Sequence, residues 1–226
     1  MTPSSIFIGQ QIITDVLGQP PSSTAGWTTS VGTSGYTSNC NGQTIIGGFE
    51  KFGNFSWAWK QYSGLLGHEE VSVQADFYFI DSWDGANSND SVSLDIDDLN
   101  VAYVHYEKDS ESSTDFCGNH WTDFKKTYTL GPFPHNSTTI KVHWTIGLDQ
   151  GPADESFGFK NVRIIVHVIC TPACATCFGN DISECYSCND GWFLEGTTCV
   201  NPCPPAKYGD PATNTCKRNS ICIFWL

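Results

Sequence analysis

Nine cysteines crowded into the last quarter of the chain constrain its fold more than any other feature. They run from Cys170 to Cys222 with the spacing C-x3-C-x2-C-x7-C-x2-C-x10-C-x3-C-x12-C-x5-C, and the residues between them are mostly polar or small. A segment this short and this poor in aliphatic residues cannot bury enough apolar surface to fold alone, so cross-links must replace a core. We therefore expect disulfides here and a location outside the cytosol.

The same segment resembles the furin-like cysteine-rich repeats of the growth-factor-receptor type. The matching phrases are Cys174-Ala-Thr-Cys177, Cys185-Tyr-Ser-Cys188, Gly191-Trp-Phe-Leu, Gly196-Thr-Thr-Cys199, Cys203-Pro-Pro and Tyr208. In that family the first cysteine pairs with the third, the second with the fourth, and the later ones consecutively. The resemblance therefore implies four pairs, which are Cys170 with Cys177, Cys174 with Cys185, Cys188 with Cys199, and Cys203 with Cys216.

The chain has eleven cysteines, and because disulfides use cysteines in pairs, at least one cysteine has no partner within the chain. We expect Cys40 and Cys117 to pair with each other and Cys222 to be the leftover. Either Cys222 opens a further repeat, or it joins another subunit. Zinc is a competing hypothesis for the CxxC pairs, but the seven residues between Cys177 and Cys185 form a shorter loop than such zinc sites usually have.

Residues 1–169 have a different pattern, in which apolar and polar side chains alternate with period two. In the segment 71–80, for example, Val71, Val73, Ala75, Phe77 and Phe79 share one face. Such alternation is typical of half-buried antiparallel strands. We predict an all-β fold, a jelly-roll-like β-sandwich (1–169) followed by a small disulfide-rich module (170–226). The predicted strands are 5–16, 44–48, 55–62, 71–80, 92–96, 101–106, 124–130, 140–146 and 162–168.

Two further expectations concern this sandwich. Its aromatic residues are interpreted first as core packing rather than as a platform for sugars, and those expected in the core are Trp57, Trp59, Phe77, Phe79, Trp144 and Phe159. The N-terminal segment either forms the first strand of its own sandwich or is lent to a neighbouring molecule, and the first alternative is preferred.

Several phrases in residues 1–169 resemble ones that recur in secreted, cysteine-rich surface proteins of ciliates and related protists. They are Gly47-Gly-Phe-Glu-Lys-Phe-Gly53, His68-Glu-Glu-Val-Ser-Val, Phe77-Tyr-Phe-Ile-Asp-Ser-Trp-Asp84, Leu148-Asp-Gln150 and Asp154-Glu-Ser-Phe-Gly158. In those proteins a β-sandwich precedes furin-like repeats, as it does here. The resemblance implies an extracellular surface or filament glycoprotein. It implies no catalytic residue in this chain.

The charge of the chain restricts its partners. Lys and Arg number 11 and Asp and Glu 24, a formal net charge of −13, so phosphate backbones and anionic membranes should repel the protein. No apolar run is long enough to span a bilayer, which predicts no transmembrane segment. Cations, neutral glycans and other proteins remain as partners. N-linked glycans are expected at three N-x-S/T sequons, Asn54, Asn89 and Asn136.

Two acidic loops indicate a calcium site. Hard cations need several oxygen ligands, and the loops that close a sandwich often gather them. The candidate ligands follow predicted strands, and they are Asp81, Asp84, Asp149, Asp154 and Glu155. The alternative is that these acids cap turns or accept hydrogen bonds from backbone amides.

Enzymatic patterns are weaker. Asp95 and Asp97 would share a strand face, as the two carboxylates of a retaining glycosidase do, but position 99 is Leu rather than the third acid of sandwich enzymes of that type. We therefore predict no catalytic residue, and glycoside hydrolysis is a remote alternative.

The sequence thus predicts a secreted, calcium-stabilised structural or adhesion glycoprotein that self-associates. The most specific form of this hypothesis is assembly into an extracellular filament. The alternative is a lectin-like module, in which exposed aromatic rings stack on sugar faces. The candidate rings are Trp83, inside an acidic loop, and Trp121, which follows Cys117-Gly-Asn-His.

Overall fold

The computed structural model of the protein describes residues 8–15, 26–32, 36–85, 88, 90–106, 114–118 and 121–219. Regular structure in these ranges is β throughout, and no helix among them is long and apolar enough to cross a membrane. The strands are β1 (Ile8–Asp15), β2 (Thr28–Thr29), β3 (Thr37–Cys40), β4 (Gln43–Gly47), β5 (Trp57–Ser63), β6 (His68–Asp81), β7 (Ser91–Ile96), β8 (Leu99–Val104), β9 (Phe124–Pro134), β10 (Thr139–Gly147), β11 (Glu155–Ile169), β12 (Cys174–Cys177), β13 (Cys185–Cys188), β14 (Phe193–Glu195), β15 (Thr198–Val200), β16 (Lys207–Asp210) and β17 (Thr215–Arg218).

The first eleven strands form two antiparallel sheets. The six-stranded sheet has the order β3-β4-β11-β6-β9, with β1 also paired to β11, and the five-stranded sheet has the order β2-β5-β10-β7-β8. From β4 onwards the chain passes repeatedly from one sheet to the other. This arrangement confirms the predicted all-β, jelly-roll-like sandwich.

The alternation of apolar residues explains most of these strands. In β10, Ile140, Val142, Trp144 and Ile146 are buried while the residues between them are partly exposed, as a strand with one face on a core requires. β1 pairs along its whole length with β11 of its own chain. Strands β2 and β3 have no predicted counterpart, because their short polar sequences carry no period-two signal.

Aromatic residues of both sheets fill the core. Phe77 lies edge-on to Trp144 and to Phe157, with both pairs of ring centroids 5.1 Å apart, an arrangement that stabilises beyond simple area burial. The expectation that Trp57 and Trp59 belong to this core is wrong. Their neighbour Ala58 is fully buried, and because successive side chains of a strand point to opposite faces, both tryptophans lie on the outer face of the five-stranded sheet.

The cysteine-rich segment packs against the end of the sandwich. It contains a two-stranded sheet, β12-β13, and a four-stranded sheet, β15-β14-β17-β16. Its buried Ala173, Cys174 and Cys177 belong to the same apolar cluster as Val168 of β11. The boundary after residue 169 is therefore crossed by side-chain contacts, and the division into two domains stays a prediction.

Five disulfides link the described cysteines. Cys40 is bonded to Cys117, and four further bonds join Cys170 to Cys177, Cys174 to Cys185, Cys188 to Cys199, and Cys203 to Cys216. The last four are the pairs that the furin-like resemblance implies, and the first is the pair expected between the two upstream cysteines. The sulfur atoms of Cys174, Cys185 and Cys199 lie within 4.8 Å of one another, but all three are in disulfides rather than free thiolates able to hold zinc. Cys222 lies outside the described residues.

Candidate functional site: a cleft beside a buried acidic cluster

A cleft of about 310 Å³ opens at one end of the sandwich. It forms where the residues after β6 meet the loop between β10 and β11. The backbone N–H and the hydroxyl of Ser82 both donate to the carbonyl oxygen of Asp154, at 3.1 and 3.0 Å, and these bonds join the two segments. Among the residues that line the cleft are Ser82, Asp84, Trp121, Thr122, Gln150 and Asp154.

Two tryptophans border this cleft, and they differ in accessibility. Trp121 is 58% exposed. Trp83 is only 4% exposed, its Nε1–H donates to the carbonyl oxygen of Ser156 at 2.6 Å, and its ring packs 4.8 Å from that of Phe79. The prediction that Trp83 stacks on sugars is therefore wrong, because its ring belongs to the core. Trp121 is the ring that a ligand in the cleft can reach.

A buried network of hydrogen bonds positions Trp121. Its backbone N–H donates to Asp81 Oδ1 at 3.2 Å. The backbone N–H of Asp81 in turn donates to Asp123 Oδ1 at 3.0 Å, and the other oxygen of Asp123 accepts the N–H groups of Phe116 and Cys117. Burial raises the pKa of Asp123, although its three backbone donors act in the opposite direction. The network ties the segment before β9 to the end of β6.

Glycine at position 118 allows the backbone to pass close to the carboxylate of Asp81. A Cβ atom at Gly118 would lie 2.3 Å from both carboxylate oxygens of Asp81. Asp81 itself has a positive φ of 65°, a conformation that Asp tolerates better than most residues. The local sequence thus brings Cys117 and Trp121 over the end of β6.

Beside the cleft, three carboxyl groups form a cluster that we call the acidic cluster, made of Asp90, Asp149 and Glu155. One oxygen from each lies within 4.8 Å of the others. Asp90 precedes β7 in one sheet, Glu155 begins β11 in the other, and Asp149 lies in the loop between β10 and β11. Asp90 and Glu155 are completely buried, whereas Asp149 is exposed.

The acidic cluster is unfavourable for negative charge. Burial raises the pKa of Glu155 to about 7, with further contributions in the same direction from Asp90 and Asp149, while the N–H of Gln150 acts against them. Oxygen ligands in this arrangement suit a hard cation.

The structure separates the five predicted calcium ligands into two groups. Asp149 and Glu155 join the acidic cluster. Asp81, Asp84 and Asp154 instead line the cleft, where Asp81 accepts the N–H of Trp121 and Asp154 accepts bonds from Ser82. The five residues therefore do not form a single calcium site, and that prediction is wrong.

Asp90 is not among the metal ligands predicted from the sequence. The sequence offers one indication of a ligand here, an acidic residue directly before a predicted strand and close in the chain to Asp84. Asp90 is also the middle residue of the sequon at Asn89, and this favours a different interpretation of the same segment. The sequon Asn89 itself lies outside the described residues. Asn54 and Asn136 are exposed, so an oligosaccharide on either would project into solvent.

Asp95 and Asp97 are not a catalytic pair on one strand. β7 ends at Ile96, and Asp97 lies in the following turn with a positive φ of 50°. There it accepts the N–H of Lys141 at 2.8 Å. Asp95 faces outward and pairs with His143, with 3.3 Å between its Oδ2 and Nδ1 of the imidazole.

A second aromatic surface lies on the outer face of the five-stranded sheet. We call it the outer aromatic face, and it consists of Trp57, Trp59 and Tyr103. The two tryptophans are partly covered, since Lys141 Nζ lies 5.2 Å from the ring of Trp59 and the imidazole of His143 lies 6.1 Å from that of Trp57. Tyr103 is 64% exposed.

No family model matches the chain. A 46-residue stretch, 20% of the chain, is 46% identical to proprotein convertase subtilisin/kexin type 5 of Mus musculus and spans 2% of that protein. Among solved structures, a CBM36-1 domain of a multidomain xylanase from the hindgut metagenome of Trinervitermes trinervoides is 12% identical, with a TM-score of 0.40, over 69% of this chain and 96% of that one. A carbohydrate-binding module CBM36 in complex with calcium and xylotriose is 8% identical, with a TM-score of 0.36, over 69% and 98%.

Proposed function

We propose that the protein is a non-catalytic extracellular carbohydrate-binding protein whose ligand occupies the cleft beside Trp121. The observation that supports the proposal is the combination, in one cleft of about 310 Å³, of a tryptophan ring that is 58% exposed with several hydrogen-bonding side chains. Sugars present both an apolar C–H face and a ring of hydroxyl groups, so they fit a site of this composition.

Each part of the cleft has a role in this proposal. The indole of Trp121 stacks on the apolar face of one sugar ring. The carboxylate of Asp154 accepts hydroxyl hydrogen bonds, while the side chains of Thr122 and Gln150 donate and accept them. Carboxylates at the rim repel anionic ligands, so the proposed ligand is a neutral oligosaccharide.

An extracellular location fits the covalent chemistry of the chain. Five disulfides link the described cysteines, and bonds of this kind persist in oxidising compartments. The exposed sequons Asn54 and Asn136 make the protein itself a candidate for N-glycosylation. Mass spectrometry of protein from its natural source, before and after removal of N-glycans, tests this part of the proposal.

Replacement of Trp121 by alanine tests the cleft. The intact, oxidised chain is first applied to an array of neutral oligosaccharides, and the affinity of the best ligand is then measured by isothermal titration calorimetry. We expect Trp121→Ala to weaken binding by about tenfold or more, since loss of a stacked ring costs on the order of 1 kcal/mol beyond the lost contact area.

Trp59→Ala is the matched control, because it removes a partly exposed indole from the outer aromatic face and leaves the cleft intact. It should retain the affinity of the wild type. If Trp59→Ala loses binding while Trp121→Ala keeps it, the sugar lies on the outer aromatic face and the cleft proposal fails. Absence of any ligand on the array would also contradict it.

Self-association is a second candidate function, and one observation favours it. Among the described strands, β8 is at an edge of the five-stranded sheet. Its Leu99 and Tyr103 are 69% and 64% exposed. Exposed apolar residues on an edge strand invite pairing with another chain, as the predicted structural or filament role requires.

A further inference from the structure

Two carboxylate oxygens of the acidic cluster are buried without a hydrogen-bond partner among the residues that the structure describes. They are Oδ1 of Asp90 and Oε1 of Glu155, and both residues have no exposed surface. No described residue forms a salt bridge with either side chain or with Asp149. Buried polar atoms in folded proteins are nearly always paired, so such oxygens call for a specific partner.

The hydrogen bonds around Asp90 and Glu155 show how the cluster is organised. Oδ2 of Asp90 accepts the backbone N–H of Asp84 at 2.7 Å and the hydroxyl of Ser88 at 3.0 Å. Oε2 of Glu155 accepts the backbone N–H of Gln150 at 3.3 Å. Each carboxylate therefore has one oxygen fixed by protein donors and leaves the other for a shared partner.

Electrostatics restricts that partner to a cation. Three carboxylates whose oxygens lie within 4.8 Å of one another repel strongly when two of them are buried. A buried charge is tolerated in proteins when it is paired or coordinates a metal. Because no cationic side chain among the described residues reaches the cluster, a metal ion is the partner of suitable charge and size.

We propose that Asp90, Asp149 and Glu155 bind one calcium ion. The donor set consists of carboxylate oxygens without histidine or cysteine, which favours a hard cation over zinc or copper. Calcium tolerates irregular coordination and completes its shell with carbonyl oxygens and water, whereas magnesium demands near-ideal octahedral geometry. The exposed Asp149 leaves one side of the site open to solvent for entry and for water ligands.

The ion joins the two sheets next to the cleft. Asp90 leads into β7 of the five-stranded sheet, and Glu155 begins β11 of the six-stranded sheet. Asp149 is followed by Gln150, a residue of the cleft wall. Calcium therefore acts as a cross-link that holds this wall in place, and its binding does not require that the cleft hold a sugar.

Calorimetric titration of the sugar-free protein with CaCl₂ tests the proposal. The full chain, with its disulfides intact and depleted of metal ions, should bind one calcium ion with a dissociation constant in the range of about 0.1–1 mM that is usual for extracellular modules. Asp90→Asn and Glu155→Gln should each weaken binding at least tenfold, since even outer-shell changes at metal sites cost about 10- to 100-fold. Titration with MgCl₂ should give weaker binding.

Asp98→Asn is the matched control. It removes an acid that is exposed and paired with Lys141, and asparagine tolerates the positive φ of 67° at that position. This variant should bind calcium like the wild type.

The folding of the variants is checked independently of calcium. Because Asp90→Asn and Glu155→Gln remove a buried carboxylate, metal-free samples of both should melt at or above the temperature of the metal-free wild type. No calcium binding by the wild type up to about 10 mM, far above the expected range, would overturn the proposal. So would binding that survives both cluster variants and is lost in Asp81→Asn.

Discussion

Glu155 shows how a single residue links the fold to the candidate metal site. It begins β11, where it pairs in register with Asp81 of β6, and this position forces its carboxyl group into the interior. Its pKa is raised to about 7 by burial and by the nearby Asp90 and Asp149. Without a cation, the folded protein therefore keeps a proton on Glu155 at pH values where the unfolded chain has lost it.

This difference predicts a pH dependence of stability in calcium-free buffer. Between about pH 4.5 and 7 the folded state holds one more proton at Glu155 than the unfolded state does. The free energy of unfolding should therefore fall as the pH rises through this window and then level off above it. Glu155→Gln should remove this contribution, and urea denaturation at pH 5 and pH 7.5 measures it.

Asp190→Asn is the control for the pH experiment, because it removes an exposed carboxylate far from the acidic cluster in the chain. It should keep the pH dependence of the wild type. If Glu155→Gln and the wild type lose stability equally between pH 5 and pH 7.5, the carboxyl group of Glu155 is not perturbed as described.

At the scale of strands, the alternation of apolar and polar residues predicted part or all of each long strand of the sandwich, but the first half of β11 (Glu155–Ile169) lies before the predicted strand 162–168. It placed β5 correctly in the chain but assigned its tryptophans to the wrong face, since Ala58 and Tyr62 are the buried residues of that strand. The size of the two indole rings favoured a place in the core for Trp57 and Trp59. The face of β5 that points inward is instead decided by its pairing with β10.

The candidate site was predicted only in part for a related reason. Asp149 and Glu155 are close in sequence, so a single loop signal found both. Asp90 reaches them through the packing of the two sheets, and this contact has no signature in the local sequence. The exposure of Trp121 and the burial of Trp83 likewise follow from tertiary contacts.

The Cys40–Cys117 disulfide is expected to hold the segment 114–118 on the sandwich. This segment has little regular structure beyond an isolated bridge between Thr114 and Asp123. The bond closes a loop with a sequence separation of 77. Replacement of both cysteines by alanine should lower the free energy of unfolding by about 4 kcal/mol, measured by urea denaturation followed by tryptophan fluorescence.

Replacement of Cys203 and Cys216 by alanine is the control for that experiment. This pair lies in the cysteine-rich segment and cross-links no strand of the sandwich. The unfolding transition of the sandwich should then stay close to that of the wild type. A sandwich that loses equal stability in both double variants would contradict the role assigned to the Cys40–Cys117 bond.

At the scale of the whole molecule, the exposed edge strand β8 predicts self-association. Sedimentation velocity of the wild type should show larger species as the protein concentration rises. Leu99→Lys should suppress them, because a charged side chain on an edge strand disfavours pairing with another chain. The control is Phe55→Lys, which changes a loop residue that is 79% exposed. A wild type that stays monomeric at every concentration would contradict this second candidate function.

The most direct test of the central claim is a crystal structure of the intact chain grown with calcium and soaked with the oligosaccharide that binds best on the array. We expect one sugar ring stacked on the indole of Trp121, with its hydroxyl groups bonded to the side chains of the cleft. A sugar bound on the outer aromatic face, with the cleft empty, would contradict the account.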